Sequence, residues 1–503
     1  SSLLLVLPLL IMVAVAFLLA FVPEIFYDSH VYHLGVPRWY LLMGGIKEYP
    51  NLHANYPLTM SMLYLVGLAL SGDTAAKLVH WSGGVLIMLG LIAWSNEERR
   101  PRAGPWAALI FLSMPMVMWN WWSTGTDVGV SLFALAGAWC WFRFIDSPEE
   151  SADRSLLALA GIFGGLCFGS KLTAGLVMAL LPVFHLAWGI VARRAIRGVI
   201  RECFFMGVVS FAMALPWLIR AYIFTGNPVF PFGGSFFASI DPARMAHVYA
   251  ENRGMTPDSF WQWCRLPWRL AFEGGSSLSF PGPFVLAVFP VAAWGLFARK
   301  DVSTPMKMIF LLGLCGCLGV AAINRLTRYW LPYLAILVMP VGLICEEGAA
   351  TPFRRWAFHI LATLMAGVNM LTAFQTIPSS YHPWPALLGA ETPQEFLSYT
   401  HPGMYPQPST ALYEWSKKNL PAGSKLLILG DEKVASCHIP FLASGVFDVA
   451  LPAQWSLGLS SPEQLYQRFR REGITHILVN LLEGRRVLGY GIMDWPESTL
   501  ALF

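Results

Sequence analysis

Residues 3–40 read "LLLVLPLLIMVAVAFLLAFVPEIFYDSHVYHLGVPRWY", and residues 3–22 carry no charged side chain. A helix needs about 20 consecutive apolar residues to cross a bilayer, so this run predicts a membrane-spanning helix. The run is too long for the core of a signal peptide and lacks a small-residue cleavage pattern after it, so we expect the helix to be retained. An acid, two histidines and an arginine follow at once. This polar stretch is either an interfacial anchor or the edge of a reaction site at a membrane surface.

The apolar character extends over the whole chain. Of its 503 residues, 56% are hydrophobic and 13% are charged, whereas soluble proteins carry about 25% charged residues. The net charge of +4 is too small to indicate a nucleic-acid partner. The eight cysteines show neither zinc-ligand spacing nor a disulfide framework. The composition therefore predicts a protein solvated mostly by membrane lipids.

The apolar runs predict a polytopic α-helical membrane protein. About eleven segments satisfy the length rule for a span, namely 3–22, 76–95, 104–122, 128–144, 155–169, 172–191, 203–223, 281–298, 308–323, 329–346 and 356–376. The apolar stretch 57–70 is short for a span, and we interpret it as an interfacial helix.

Positive charges indicate how these helices are oriented. With the N-terminus inside, every inner loop contains Lys or Arg, namely 96–103, 145–154, 192–202, 299–307 and 347–355. Lys and Arg are enriched in cytoplasmic loops, so this pattern favours that orientation. It places loops 23–75 and 224–280, the turns 123–127 and 324–328, and everything after residue 377 on the outer face.

The chain is predicted to divide at residue 376 into a transmembrane domain (1–376) and a C-terminal part. Residues 377–409 are rich in Pro and Ser, which is typical of a linker. Residues 410–503 contain the apolar stretches "SKLLILG" and "ITHILVN", with the helical pattern "SPEQLYQRFRREG" between them. Strand, helix and strand predict a small extracytoplasmic α/β domain.

Two acids lie at the predicted outer ends of spans. An isolated Asp28 would be an ordinary loop acid, but His30, His33 and Arg38 share its loop. An acid among cationic and titratable neighbours favours a site for an anionic lipid headgroup. Asp127 either belongs to a helix N-cap with Thr126 or is a second carboxylate that binds a divalent cation or orients a hydroxyl.

Four cations lie near the same boundary. Lys171 stands between two apolar segments, and Arg220, Arg325 and Arg328 lie in aromatic-rich stretches. Such residues either extend to the lipid headgroups as part of an interfacial belt or bind phosphate, whose oxygens Arg contacts bidentately. Their convergence with two acids favours phosphate or diphosphate recognition.

The order of these features resembles the GT-C superfamily of polytopic glycosyltransferases, in particular the bacterial group related to protein O-mannosyltransferases and the aminoarabinose transferase of lipid A. The resemblance covers nearly the whole chain. It rests on "YDSHVYHLGVP", "NYPLTMSMLYLVGLALSG", "STGTDVGVSLFALAGAW", "GIFGGLCFGSKLTAGL", "PWLIRAYIFTGNPVFPF", "RLTRYWLPYLAIL" and "GITHILVN".

The resemblance implies sugar transfer from a polyprenyl-phosphate-linked donor to a protein, lipid or glycan acceptor at the outer leaflet of a bacterial plasma membrane. It implies that Asp28 is the catalytic carboxylate and Asp127 the supporting acid. It places four residues near the donor phosphate: Lys171, Arg220, Arg325 and Arg328. Two features depart from the family pattern. Gly125 stands where a paired acid would help to hold a metal, and His30 or His33 could share the base or ligand role.

Two other classes of function stay open. A transporter of lipid-linked sugars would need charges along a path inside the spans, and few occur there. A catalytically silent scaffold subunit of a larger complex would keep the fold without transfer, and the missing acid pair at residues 125–127 allows it.

Overall fold

The computed structural model describes residues 3–148, 153–234, 236–237, 257–272, 280–324, 326–347, 352–398, 409–445 and 447–488. The described part up to residue 398 is helical, and a small sheet follows. The helices of this part are Leu3–Leu19, Gly35–Leu42, Thr59–Glu97, Ala103–Leu112, Pro115–Trp121, Asp127–Asp146, Arg154–Ser170, Gly175–Val191, Ile196–Thr225, Phe260–Phe272, Phe284–Ala298, Thr304–Ile323, Leu331–Glu347, Pro352–Tyr381, Pro383–Leu387 and Pro393–Ser398.

The outside of this helical body is apolar, and the protein is an integral membrane protein. Seven of the described helical segments are long and apolar enough to cross a membrane, and four more are apolar but shorter. Large apolar side chains face outward along several of them, including Phe204 at 72% exposure and Trp294 at 78%. Exposed apolar surface on this scale requires a lipid environment.

The centre of the body is formed by two helices. Most residues of Asp127–Asp146 and Leu331–Glu347 are buried. A Cβ at Gly342 would lie 2.2 Å from the carbonyl oxygen of Ala103, so this glycine lets two helix backbones approach closely, as small residues do in membrane proteins.

The apolar stretch 57–70 forms the first part of the helix Thr59–Glu97, which is broken by non-helical backbone at Ser71 and Gly72. Gly72 has a φ of 75°, a conformation that glycine adopts without steric cost. A Cβ at Gly67 would lie 2.6 Å from the backbone nitrogen of Ala76. The chain therefore turns back on itself here, and the structure confirms that 57–70 is separate from the following helix.

The prediction of one continuous helix over 104–122 was wrong. The structure has two helices there, Ala103–Leu112 and Pro115–Trp121. Pro115 has no N–H to donate and disfavours helical backbone at the preceding residue, and Met114 accordingly has a ψ of 126°.

The C-terminal part contains the predicted α/β arrangement. Three parallel strands, β1 (Leu426–Leu429), β2 (Phe441–Ala443) and β3 (His476–Val479), lie in the order β2-β1-β3. The described helices around them are Thr410–Asn419, Leu451–Trp455, Pro462–Arg471 and Leu481–Leu488. Sequence reasoning found β1 and β3 but missed β2, whose three residues are too few for a periodicity signal. The predicted linker 377–409 is partly helical, because Pro352–Tyr381 extends into it and two short helices follow.

Candidate active site

Asp28 lies in the Asp28 loop, which we define as residues 20–58 between the helices Leu3–Leu19 and Thr59–Glu97. It immediately precedes a π-helical turn, Ser29–His33, in which the N–H of Leu34 donates to the carbonyl of Ser29 at 2.8 Å. A π turn bonds residue i to i+5, so it brings Asp28 and His33 to the same side of the turn. Wide turns of this kind are frequent at functional sites.

Asp28 forms an ion pair with Arg328. The guanidinium Nη2 donates to Oδ2 of Asp28 at 2.5 Å, and the two side chains are 19% and 11% exposed for Asp28 and Arg328. Arg328 lies on the 3-10 turn Thr327–Trp330 at the start of the helix Leu331–Glu347. The fold therefore joins two residues that are 300 positions apart.

Asp127 forms a second ion pair, with Lys171. Asp127 is the first residue of the helix Asp127–Asp146, and the side chain of Thr126 makes no capping hydrogen bond there. Lys171 has extended backbone between the helix Arg154–Ser170 and the short turn Leu172–Ala174. Its Nζ donates to Oδ1 of Asp127, and the two side chains are 16% and 2% exposed for Lys171 and Asp127.

The ring of Tyr329 brings the two ion pairs together. Nζ of Lys171 lies 3.7 Å from the centroid of this ring, and Cζ of Arg328 lies 5.5 Å from it. Cations are attracted to aromatic faces at these distances. Four residues from four separate elements thus form one cluster, which we call the double-pair site: Asp28, Asp127, Lys171 and Arg328.

The surroundings of Asp28 keep its carboxylate ionised. Burial alone would raise the pKa of Asp28, but the Arg328 guanidinium, with smaller contributions from His33 and His53, lowers it to about 2. Burial lowers the pKa of His33 well below its usual value and that of His53 to about 4. Both imidazoles are therefore neutral at neutral pH, beside an ionised acid.

The other predicted site residues have different positions. His33 lies beside the double-pair site, with Nδ1 3.3 Å from the hydroxyl of Ser61. His30 is instead tied to the backbone, with Nε2 2.6 Å from the carbonyl oxygen of Glu24. Arg220 donates from Nη1 to the carbonyl of Tyr56 at 3.3 Å. Arg325 lies outside the described residues.

Glu24 connects the two acid-bearing segments, and sequence reasoning missed it. Its Oε1 accepts hydrogen bonds from the N–H groups of Ile25 and Phe26, both at 2.9 Å. Its Oε2 accepts from the N–H and the hydroxyl of Thr124, at 2.6 and 2.8 Å. Ile25 and Phe26 lie just before Asp28, and Thr124 lies three residues before Asp127. One buried carboxylate therefore fixes both acids relative to each other.

Lys77 and His80 complete this connection from the helix Thr59–Glu97. Lys77 is fully buried and donates to the carbonyl of Val22 at 2.5 Å, while Nδ1 of His80 lies 2.7 Å from the carbonyl oxygen of Ser123. The signal for both was present, because an ionisable residue inside a predicted span indicates a special role. They lie within the predicted span 76–95.

The acids do not fit a metal site in the arrangement described. The Asp127 carboxylate already faces the ammonium of Lys171, and that of Asp28 faces a guanidinium. Within the described ranges, no group of three or more His, Cys, Asp or Glu side chains is placed to hold a metal ion. One oxygen of each carboxylate is thus already engaged by a cation of the chain, where a metal ion would need open oxygens.

Comparison with protein families identifies the family of the chain. Residues 1–335 match the family described as "Domain of unknown function (DUF8201)", and the chain belongs to this family. Comparison with curated proteins gave no match.

Three solved structures share the fold over most of the chain. ArnT from Cupriavidus metallidurans bound to undecaprenyl phosphate is 14% identical with a TM-score of 0.54, over 95% of this chain and 90% of that chain. Arabinofuranosyltransferase AftD from Mycobacteria is 14% identical with a TM-score of 0.52, over 94% and 35% of the two chains. The apo oligosaccharyltransferase of Archaeoglobus fulgidus is 11% identical with a TM-score of 0.50, over 93% and 69%.

These three proteins are GT-C glycosyltransferases, and this chain has the GT-C fold. The fold expected from the order of sequence motifs is thereby confirmed, together with the small C-terminal sheet.

Proposed function

We propose that this protein is a membrane glycosyltransferase that moves a sugar from a polyprenyl-phosphate-linked donor to an acceptor hydroxyl at the outer membrane face. The observation that carries the proposal is the double-pair site, where two acids and two cations from distant parts of the chain meet around Tyr329. The shared fold with ArnT, whose structure contains undecaprenyl phosphate, supports a lipid-phosphate substrate.

In the proposed reaction, Asp28 accepts the proton of the acceptor hydroxyl. The hydroxyl oxygen forms a bond to the anomeric carbon, the bond from that carbon to the phosphate oxygen breaks, and its electron pair leaves with the lipid phosphate. General-base catalysis of this kind contributes about 10²–10⁴-fold to a rate. Lys171 and Arg328 stabilise the negative charge that develops on the leaving phosphate.

Before a donor binds, the ion pair with Arg328 keeps Asp28 in a state that is inactive as a base. With Arg328 bound to Asp28, the carboxylate has a pKa of about 2 and is a weak base. A donor phosphate would attract the guanidinium of Arg328, which prefers phosphate oxygens as a bidentate partner. With its main opposing charge withdrawn, burial would then raise the pKa of Asp28, so donor binding would prepare the base.

Arg220 is proposed as a further phosphate contact. Its guanidinium lies over Trp217 and Phe224, at 5.4 and 5.8 Å from the ring centroids. Its Nε and Nη2 are buried, and neither has a hydrogen-bond partner among the described residues. A buried cationic donor without a partner is costly, and an anionic substrate group would satisfy it.

The setting of the reaction is part of the proposal. We place it at the outer face of a bacterial plasma membrane, with residues 1–376 as the transmembrane domain, a linker at 377–409 and the extracytoplasmic α/β domain from 410. The basic loops at the opposite helix ends support this orientation.

The test is a complementation experiment. A strain that lacks the protein is compared with the same strain carrying wild-type protein, Asp28→Asn or Asp153→Asn, and its glycans are measured by mass spectrometry. Asp153 is an exposed acid at a helix N-cap and serves as the matched control. We expect a glycan to be lost in the deletion and Asp28→Asn strains and restored by wild type and Asp153→Asn. Full restoration by Asp28→Asn, at equal protein levels, would rule out the assignment.

A further inference from the structure

The α/β domain contacts the Asp28 loop on both sides of Asp28. On one side, the hydroxyl of Tyr27 donates to Oε1 of Glu432 at 2.5 Å and accepts from Nη2 of Arg486 at 3.1 Å. On the other side, the carbonyl of His30 accepts from the N–H groups of Val434 and Ala435, at 3.0 and 3.1 Å. The candidate base is thus flanked by two residues that the C-terminal domain holds.

Glu432 also binds a second point of the same loop. The side-chain amide of Asn51 donates to its Oε2 at 3.2 Å, and Asn51 in turn accepts from the N–H of His53 at 2.9 Å. His53 stacks on Tyr32 with 4.6 Å between ring centroids. Both oxygens of Glu432 therefore engage residues near Asp28.

The contact is buried and highly charged. Glu432 is 2% exposed, and Lys433 beside it forms ion pairs with Asp431 and Glu483 at 3.3 and 2.8 Å. Burying several charges costs free energy and adds little net stability compared with apolar packing. We therefore attribute this cluster to positioning, because its ion pairs and hydrogen bonds fix where the participating side chains lie. Burial and the Glu432 carboxylate raise the pKa of Tyr27 well above its usual value, so its hydroxyl keeps the proton that it donates.

The topology of the sheet explains why this contact forms here. Residues 430–433 follow the central strand β1, and Asn480 follows β3, with Asn480 Nδ2 donating to Oδ2 of Asp431 at 2.9 Å. In open parallel sheets, the crevice at the carboxyl ends of the strands is the usual place for a ligand. In this protein, residues from that end of the sheet bind the Asp28 loop.

We propose that Glu432 is a positioning residue that fixes the Asp28 carboxylate for sugar transfer, by holding Tyr27 and Asn51 from the α/β domain. This role rests on the proposed function for its kinetic consequence. Its structural consequence, an ordered Asp28 loop, can be measured without any assay of transfer.

The experiment compares full-length Glu432→Gln, Tyr27→Phe and the double variant with Glu414→Gln. Glu432→Gln keeps the size of the side chain but presents an amide to the Asn51 amide, and Tyr27→Phe removes only the hydroxyl. Glu414 is a half-buried acid of the same domain, 3.9 Å from His438. Each purified protein is assayed for transfer from the donor identified in wild type, and amide hydrogen exchange is followed across residues 25–34.

We expect either single variant to lower kcat about 10-fold or more with donor KM within about twofold, because misplacing a catalytic group by 1 Å has effects of this size. Both substitutions break the Tyr27–Glu432 hydrogen bond, so the double variant should be slowed by less than the product of the two single effects. Hydrogen exchange in residues 25–34 should be faster in these variants and unchanged in Glu414→Gln.

Three results would overturn the proposal. The first is wild-type kcat in both single variants, and the second is unchanged exchange across residues 25–34. The third is a variant that loses the exchange protection of the whole domain, which would indicate a merely structural role for Glu432. Absence of transfer in the wild-type protein would count against the proposed function, while the exchange results would still decide whether Glu432 orders the loop.

Discussion

A buried cluster of charges lies near each end of the helix Gly175–Val191. The two clusters differ in how far apart in sequence the interacting residues are. After its end, Arg194 donates to Glu202 from Nη1 and Nη2 at 2.7 and 3.0 Å, and Nε2 of His185 lies 2.9 Å from the same carboxylate. These partners are 8 and 17 residues from Glu202. Near its start, Lys171 belongs to the double-pair site, where the residues of the Asp28–Arg328 pair are 300 positions apart.

Burial does not distinguish the two clusters. The side chains around Glu202 are 0–11% exposed, and those of the double-pair site are 2–19% exposed. The difference lies in the partners of the carboxylates. Both oxygens of Glu202 bind the guanidinium of Arg194, and His185 binds one of them as well, so these partners of Glu202 are all local. Each acid of the double-pair site forms an ion pair with a cation that phosphate could attract. We therefore expect the Glu202 cluster to stabilise the fold and the double-pair site to bind an anionic substrate.

The largest effect should come from removing one cation at each end. Lys171→Met should lower transfer about 100-fold or more, because it removes a charge from the proposed phosphate site. Arg194→Met should leave kcat within about twofold but cost about 3 kcal/mol of stability, since it leaves Glu202 buried without its main partner. Transfer rates and apparent melting temperatures in detergent measure the two effects. Equal loss of activity in both variants would remove the distinction between the clusters.

A smaller effect concerns pH and the pairing of Asp28. In free wild-type enzyme the pKa of Asp28 is about 2, so protonation of Asp28 should not lower kcat/KM between about pH 8 and pH 5. In Arg328→Gln the opposing charge is gone and burial raises the pKa, so the acid limb of kcat/KM should move to higher pH. Arg328→Lys keeps the charge and should stay close to wild type. Identical limbs in Arg328→Gln and wild type would show that Arg328 does not control Asp28.

The smallest effect concerns stability near the site. Burial lowers the pKa of His53 to about 4 in the folded protein. As the pH falls below about 6.5, His53 is therefore protonated in the unfolded chain before it is protonated in the folded protein. Folding stability should therefore fall between pH 6.5 and pH 4, by about 2 kcal/mol at pH 5 from this residue. His53→Phe keeps a ring to stack on Tyr32 and should reduce the fall. Thermal unfolding at pH 7 and pH 5 measures it, and an equal fall in both proteins would contradict it.

Much of the fold follows from the sequence, because spans depend on local apolar runs and orientation depends on the charges beside them. The sequence therefore predicted that Asp28, Asp127, Lys171 and Arg328 lie near one boundary. It also found both long strands of the C-terminal sheet. The prediction of one helix over 104–122 failed because it followed the apolar run and ignored Pro115, which interrupts the helix.

The pairing within the site could not be predicted in the same way. Whether Arg328 contacts Asp28 or Asp127 depends on how distant helices pack, which a single sequence does not contain. Glu24 gave no signal because an acid at the end of an apolar run is common. Lys77 did give one, since a lysine inside a span needs partners there, and the carbonyls of Leu19 and Val22 supply them.

The Glu24 carboxylate has a consequence for protein engineering. Since it binds the backbone just before Asp28 and just before Asp127, each acid-bearing segment depends on the other for its position. A chimera that imports residues 20–58 from a relative, without residues 122–126, would combine mismatched halves. A chimera should therefore exchange both segments together.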